Sequence, residues 1–184
     1  GFASISLDDY VSDAATEDAL ISWAATGQSN LTVTITNRVV TIGAASNWYG
    51  SEAITFTATD DDGINPMSGS GVATFTAINT NDPPVFTSTV INSATEDETY
   101  SYTVTASDVD EGDILSFSVT TPAWLTLLDN GDGTASLSGT PENDDVGDHT
   151  IVLTVEDQDE ESDEQSFTVT VINTNDPQVF STPT

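Results

Sequence analysis

The chain lacks cysteine and lysine entirely, and its only basic side chains are Arg38 and the lone histidine, His149. Without cysteine there is no disulfide framework, no thiol nucleophile and no thiolate metal site. Without lysine there is no Schiff-base chemistry. Against one basic residue stand 31 acidic ones, a formal net charge of −30. A surface of that sign repels phosphate backbones and anionic lipid headgroups, which argues against nucleic-acid and membrane partners and in favour of cations. No apolar run approaches the ~18 residues needed to span a bilayer, so membrane insertion is not expected. The first residues show no charged segment followed by an apolar one, so no signal peptide is read there, and the chain reads as a piece of something longer.

High charge is also the mark of disordered chains. Here 36% of the 184 residues are hydrophobic, three are tryptophan, and the apolar positions alternate, so a folded chain is expected. Leu31 to Ile35, Ile54 to Ala58, Tyr100 to Thr105, Ile151 to Val155 and Phe167 to Val171 all run with period two and are rich in Thr and Val. That pattern predicts pleated strands with one buried face. Asp62-Gly63, Glu111-Gly112 and Asp129-Asn130-Gly131-Asp132-Gly133 punctuate them, the last as a hairpin turn. No helical period is present. The expectation is all-β.

The chain repeats itself. Phe75-Thr-Ala-Ile-Asn79-Thr-Asn81-Asp82-Pro83 returns as Val169-Thr-Val-Ile-Asn173-Thr-Asn175-Asp176-Pro177, a period of 94 residues. Ala15-Thr-Glu17-Asp18 echoes Ala94-Thr-Glu96-Asp97, and the strand running into Asp60 echoes the one running into Asp157. Two modules follow, 1–82 and 83–184, the first abbreviated and the second complete. They meet at Asn81-Asp82-Pro83-Pro84, which proline makes stiff and extended. Small modules without disulfides need another staple, and a structural metal is a common one.

Ala106-Ser-Asp108-Val-Asp110 followed by an acidic-glycine turn resembles the Asp-x-Asp segment of cadherin repeats, and Asn79-Thr-Asn81-Asp82-Pro83 resembles their linker. Pro122-Ala-Trp124-Leu125 and Leu137-Ser-Gly139-Thr-Pro141 narrow the resemblance to the cadherin-like repeats of bacterial and dystroglycan-type proteins. The second module carries it along its whole length; the first carries it at its ends and around Asn47-Trp48-Tyr49-Gly50.

The resemblance implies two tandem Greek-key β-sandwiches of cadherin or immunoglobulin type, an extracellular location, and Ca2+ bound at the junction. Carried over by position, the ligands it implies are Glu17, the side chain of Asn79, the backbone carbonyl of Asn81, and the carboxylates of Asp82, Asp108, Asp110 and Asp157. The acidic pair at Glu142 and Asp144 has only Ala45 and Asn47 as counterparts in the first module, so one or two ions are expected and not three. Glu96, Glu142, Asp144, Asn173 and Asp176 would complete an outer site if a further module followed. Calcium's demand for six to eight oxygens suits such loops. The role implied is adhesion, with neighbouring modules, another copy of the chain or a cell-surface polysaccharide as partners.

Two other classes can be set against the sequence. An enzyme needs a catalytic set, and no Gly-x-Ser-x-Gly elbow, phosphate loop or zinc spacing occurs. His149 is expected to pack in the core. A carbohydrate-binding module of a polysaccharide-degrading system could use Trp23, Trp48, Tyr49 and Trp124 as sugar platforms, and their exposure discriminates: coplanar and exposed for sugar, buried for a spacer.

Overall fold

The computed structural model describes residues 1–12, 21–60 and 66–177. The chain divides into two compact units, Gly1–Thr80 and Asn81–Thr184. Each is a β-sandwich of immunoglobulin and cadherin type. Among the described residues there is no α-helix, and no helix is long and apolar enough to cross a membrane.

The second unit has eight strands: β7 (Val85–Phe86), β8 (Ser93–Thr95), β9 (Tyr100–Ser107), β10 (Ser116–Thr120), β11 (Leu125–Asp129), β12 (Thr134–Gly139), β13 (Gly147–Glu156) and β14 (Ser162–Ile172). They form two four-stranded sheets, ordered β11-β12-β9-β7 and β10-β13-β14-β8. All pairings are antiparallel except β8 with β14. The alternation read from the sequence sets the burial: Ile151, Leu153 and Val155 of β13 are wholly buried and face Tyr102, Val104 and Leu137 from the other sheet's strands. The hairpin expected at 129–133 joins β11 to β12, with Gly131 and Gly133 at φ 72° and 80°. Gly139 is required for a different reason. A Cβ there would stand 1.8 Å from the Trp124 carbonyl oxygen, so only glycine lets β12 close on the start of β11.

The first unit is built from β1 (Ile5–Ser6), β2 (Ser22–Thr26), β3 (Leu31–Thr36), β4 (Val39–Ala44), β5 (Gly50–Thr59) and β6 (Ser68–Ala77). Its sheets are β1-β4-β3 and β2-β5-β6. A small core of Leu7, Leu31, Val40, Ile42 and Ile54 is widened by Trp23, Trp48, Phe56 and Phe75. The β3–β4 turn is made by Asn37 and Arg38, both at positive φ, the primed geometry that matches strand twist.

Pairing fixes which strands correspond. β1 stands to β4 as β9 stands to β12, and β2 stands to β5 as β10 stands to β13. The first described strand of the first unit, β1, is thus the counterpart of β9. Among the described residues that unit has nothing equivalent to β7 and β8. Ala94 and Thr95 lie in β8, ahead of β9, and their echo, Ala15-Thr-Glu17-Asp18, lies outside the described residues.

Candidate metal centre

Three loops of the second unit converge at the end of its sandwich: the connector 81–84, the β9–β10 loop and the β13–β14 turn. One carboxylate oxygen from each of Asp108, Asp113 and Asp157 lies within 4.8 Å of the other two. Asp110 is buried beside them at 8% exposure, and Asp157 at 5%.

Local hydrogen bonds aim these acids. Asp108 Oδ1 accepts the Asp110 backbone N–H at 2.9 Å, closing an Asx turn. Asp110 Oδ2 accepts the Asp82 N–H at 2.8 Å. Asp157 Oδ1 accepts the N–H groups of Asp159 and Glu161, both at 2.9 Å, and its Oδ2 accepts the Asn81 side-chain amide at 2.8 Å. Each carboxylate oxygen carries two lone pairs, so a single accepted bond leaves capacity for a cation. Gly112, at φ 103°, lets the loop double back so that Asp113 faces Asp108.

The electrostatics are one-sided. Asp113 is pushed above the ordinary carboxylate range, first by withdrawal from water and then by the charges of Asp108, Asp110, Asp157 and Asp159. Asp157 is held below that range, chiefly by the Asn81 amide and then by the Glu161 and Asp159 N–H groups, with burial opposing them. Asp108 Oδ2 and Asp113 Oδ2 are buried with no hydrogen-bond partner. The sole arginine, Arg38, belongs to the first unit, where it pairs with Asp8. The second unit therefore contains no lysine or arginine to neutralise its converging acids.

The expected ligands divide as follows. Asp108, Asp110 and Asp157 are gathered in this cluster, and Asn81 and Asp82 are hydrogen-bonded to it. The side-chain amide of Asn81 is engaged with Asp157, which leaves its backbone carbonyl as the ligand atom implied by the resemblance. Asn79 belongs to the first unit. Glu17 lies outside the described residues. Asp113 was not among the expected ligands; the signal available was its place directly after the acidic-glycine turn, three residues beyond Asp110.

A second acidic group sits within the same unit. Glu96, Asp97 and Asp176 bring carboxylate oxygens within 4.8 Å of one another. Glu96 is 1% exposed; its Oε2 accepts the Thr174 N–H at 2.8 Å, and its Oε1 is buried without a partner. Glu142 and Asp144, expected beside it, are exposed, Glu142 as the N-cap of the 3-10 turn Asn143–Asp145 and Asp144 within it.

The aromatic residues are packed. Trp124 meets Tyr100 and His149 edge to face, with ring centroids 5.9 Å apart in both pairs. His149 Nε2 is bonded to the Asp145 carbonyl, as suits a structural, half-buried residue. Trp23 and Trp48 pack on the first unit's core, and only Tyr49 of the four candidate platform residues is exposed.

Residues 83–172 match the family described as "Putative Ig domain". No curated protein matches the chain. Among solved structures, protocadherin gammaB7 EC3-6 is similar over 88% of this chain and 42% of its own, at 15% identity and a TM-score of 0.58. The extracellular cadherin domains 1-5 of protocadherin Gamma B2 are similar over 85% and 34%, at 18% identity and a TM-score of 0.57. An endo-fucoidan hydrolase of glycoside hydrolase family 107, MfFcnA4, aligns over 86% of this chain at 24% identity and a TM-score of 0.45, and the chain spans 24% of its length. The family match and the two protocadherin likenesses show a cadherin- and immunoglobulin-like fold.

Proposed function

We propose that the chain is a calcium-binding tandem module of an extracellular, bacterial cadherin-like adhesin, in which the metal stiffens the connector between modules. One observation carries the reading. Asp108, Asp113 and Asp157 converge with two buried, unpartnered oxygens in a unit that has no lysine or arginine. At an effective dielectric near 20, two charges about 4 Å apart repel by about 4 kcal/mol. A divalent cation reverses that sign.

The donors present are carboxylate and amide oxygens, the hard set that suits calcium, and thiolates are absent. Asp108, Asp113, Asp157 and Asp110, with the Asn81 carbonyl and water, would hold the ion. Because Asn81 and Asp82 are bonded to Asp157 and Asp110, ordering the acids also orders the connector's downstream end. Glu96, Asp97 and Asp176 form a second place for a cation, supported by the unpartnered Glu96 oxygen. The cadherin- and immunoglobulin-like fold and the packed aromatic residues support a non-enzymatic, adhesive role.

Isothermal titration after chelation tests this. Binding of one to two calcium ions at roughly 10⁻⁴ to 10⁻³ M is expected, in the range of extracellular modules. Absence of heat and of any thermal shift at ten-millimolar-order calcium would refute it. Retention on polysaccharide resins is expected to be nil, since the tryptophans are packed; specific retention would instead favour the carbohydrate-binding reading.

A further inference from the structure

Of all the asparagines in the chain, Asn130 alone is followed by glycine. The backbone nitrogen that follows an asparagine can attack its side-chain carbonyl carbon and close a five-membered ring. A Cβ on the attacking residue obstructs that approach, and glycine has none.

The β11–β12 turn leaves the attack open. Asn130, Gly131 and Asp132 are all exposed to water. Gly131 stands at φ 72°, and a Cβ built on it would meet nothing within 4 Å, so its nitrogen is uncrowded. That nitrogen is not spent on the ladder, whose last pair is Asp129 with Ala135. Its N–H donates instead to Asp129 Oδ1 at 2.9 Å. Asp129 Oδ2 accepts the Phe117 N–H at 2.9 Å, which anchors the carboxylate in place. A proton acceptor is therefore already in contact with the proton that must leave. The amide that must depart is held only by the turn's own side chains: Asn130 Nδ2 donates to Thr134 Oγ1 at 2.9 Å, and the Thr134 hydroxyl donates on to Asp132 Oδ1 at 2.6 Å.

We propose that Asn130 is a self-modification site, which converts in the folded chain to aspartate and isoaspartate through a cyclic imide. The Gly131 nitrogen attacks Asn130 Cγ. Its proton passes to Asp129 and on to the departing amide, which leaves as ammonia. Water then opens the imide. Breaking the bond from Gly131 N to Cγ gives aspartate; breaking the bond from the same nitrogen to the Asn130 backbone carbonyl carbon gives isoaspartate, with the main chain one atom longer. Both products add a negative charge to the turn. Gly131, Asp132 and Gly133 wall a cavity of about 330 Å³ together with Asp108 and Asp113, so the new charge arises beside acids that already repel one another.

The test is incubation of the full chain, folded and at mildly alkaline pH, followed by site-resolved peptide mapping. The readouts are a mass gain of about 1 Da and labelling by an isoaspartate-specific methyltransferase. Conversion at Asn130 should run at least about tenfold faster than at any other asparagine, Asn92 before Ser93 included. Asn130→Gln should abolish it, because glutamine must close a larger ring, and Asp129→Asn should slow it several-fold. Any of three results overturns the proposal. The first is an unconverted Asn130 in the folded chain while a free peptide of residues 125–136 converts, which would show that the turn shields it. The others are comparable conversion at other asparagines, and a rate at Asn130 that Asp129→Asn leaves unchanged.

Discussion

Asp113→Asn is expected to raise the melting temperature of the second unit in chelator and to remove about half of the further rise that calcium produces. The first effect follows because this carboxylate is disfavoured where it stands, by desolvation and by four neighbouring acids. Asparagine keeps the shape and removes one repelling charge. The second follows because the same oxygen, buried and unpartnered, is one the ion would take up. Calcium at about a hundred times Kd adds about 2.7 kcal/mol by mass action, a rise on the order of 10–20 °C for a domain of this size. A tenfold weaker site gives up about 1.4 kcal/mol of it.

Asp108→Asn should behave alike in calcium, because its Oδ1 can still accept the Asp110 N–H. Truncating Asp110 is less clean, since its carboxylate also receives the Asp82 N–H. Glu161→Ala is the control. Glu161 serves Asp157 through its backbone N–H, which alanine retains, so the calcium response should be unchanged. Scanning calorimetry of these variants, with and without chelator, decides the matter. A D113N protein destabilised in chelator and still fully responsive to calcium would exclude Asp113 from the site.

The second large effect belongs to the first unit. Glu52 is 9% exposed and gathers the turn before β3: its oxygens accept the Ser29 hydroxyl at 2.6 Å, the backbone N–H groups of Ser29, Asn30 and Leu31 at 2.7–3.1 Å, and the Asn30 side-chain amide at 2.9 Å. These bonds, the Ser29 hydroxyl first, lower its pKa from 4.5 to about 2, against the opposing pull of burial. Because the folded value is depressed, its contribution is fully present above pH 4.5 and is lost as pH falls from 4.5 towards 2.

Glu52→Ala leaves three backbone donors unpaired, and a fall in the first unit's melting temperature on the order of 5–15 °C is expected at neutral pH. Between pH 4.5 and 2 the gap between wild type and variant should narrow. Acid unfolding followed by NMR of first-unit resonances measures it. A gap that stays constant over that window would show that the Glu52 carboxylate contributes no pH-dependent stability.

These residues also show how far the sequence could be read. Asp108, Asp110 and Asp157 follow from the resemblance to cadherin repeats, carried over by position from the Asp-x-Asp segment and the Asp-ending strand. Asp113 was not named, because its approach to Asp108 depends on the loop reversing at Gly112. Glu52 was invisible as a structural acid. It sits on β5 in a run otherwise fit for a strand, and only folding brings it to the 29–31 turn more than 20 residues away.

The sequence by itself determined the all-β character, the internal repetition and the strongly acidic charge, because alternation, turn residues and charge are local properties. Tertiary structure alone decided which acids meet, which of their oxygens remain unpartnered, and which strands pair within each sandwich. Those facts depend on contacts between residues far apart along the chain, and no local pattern encodes them.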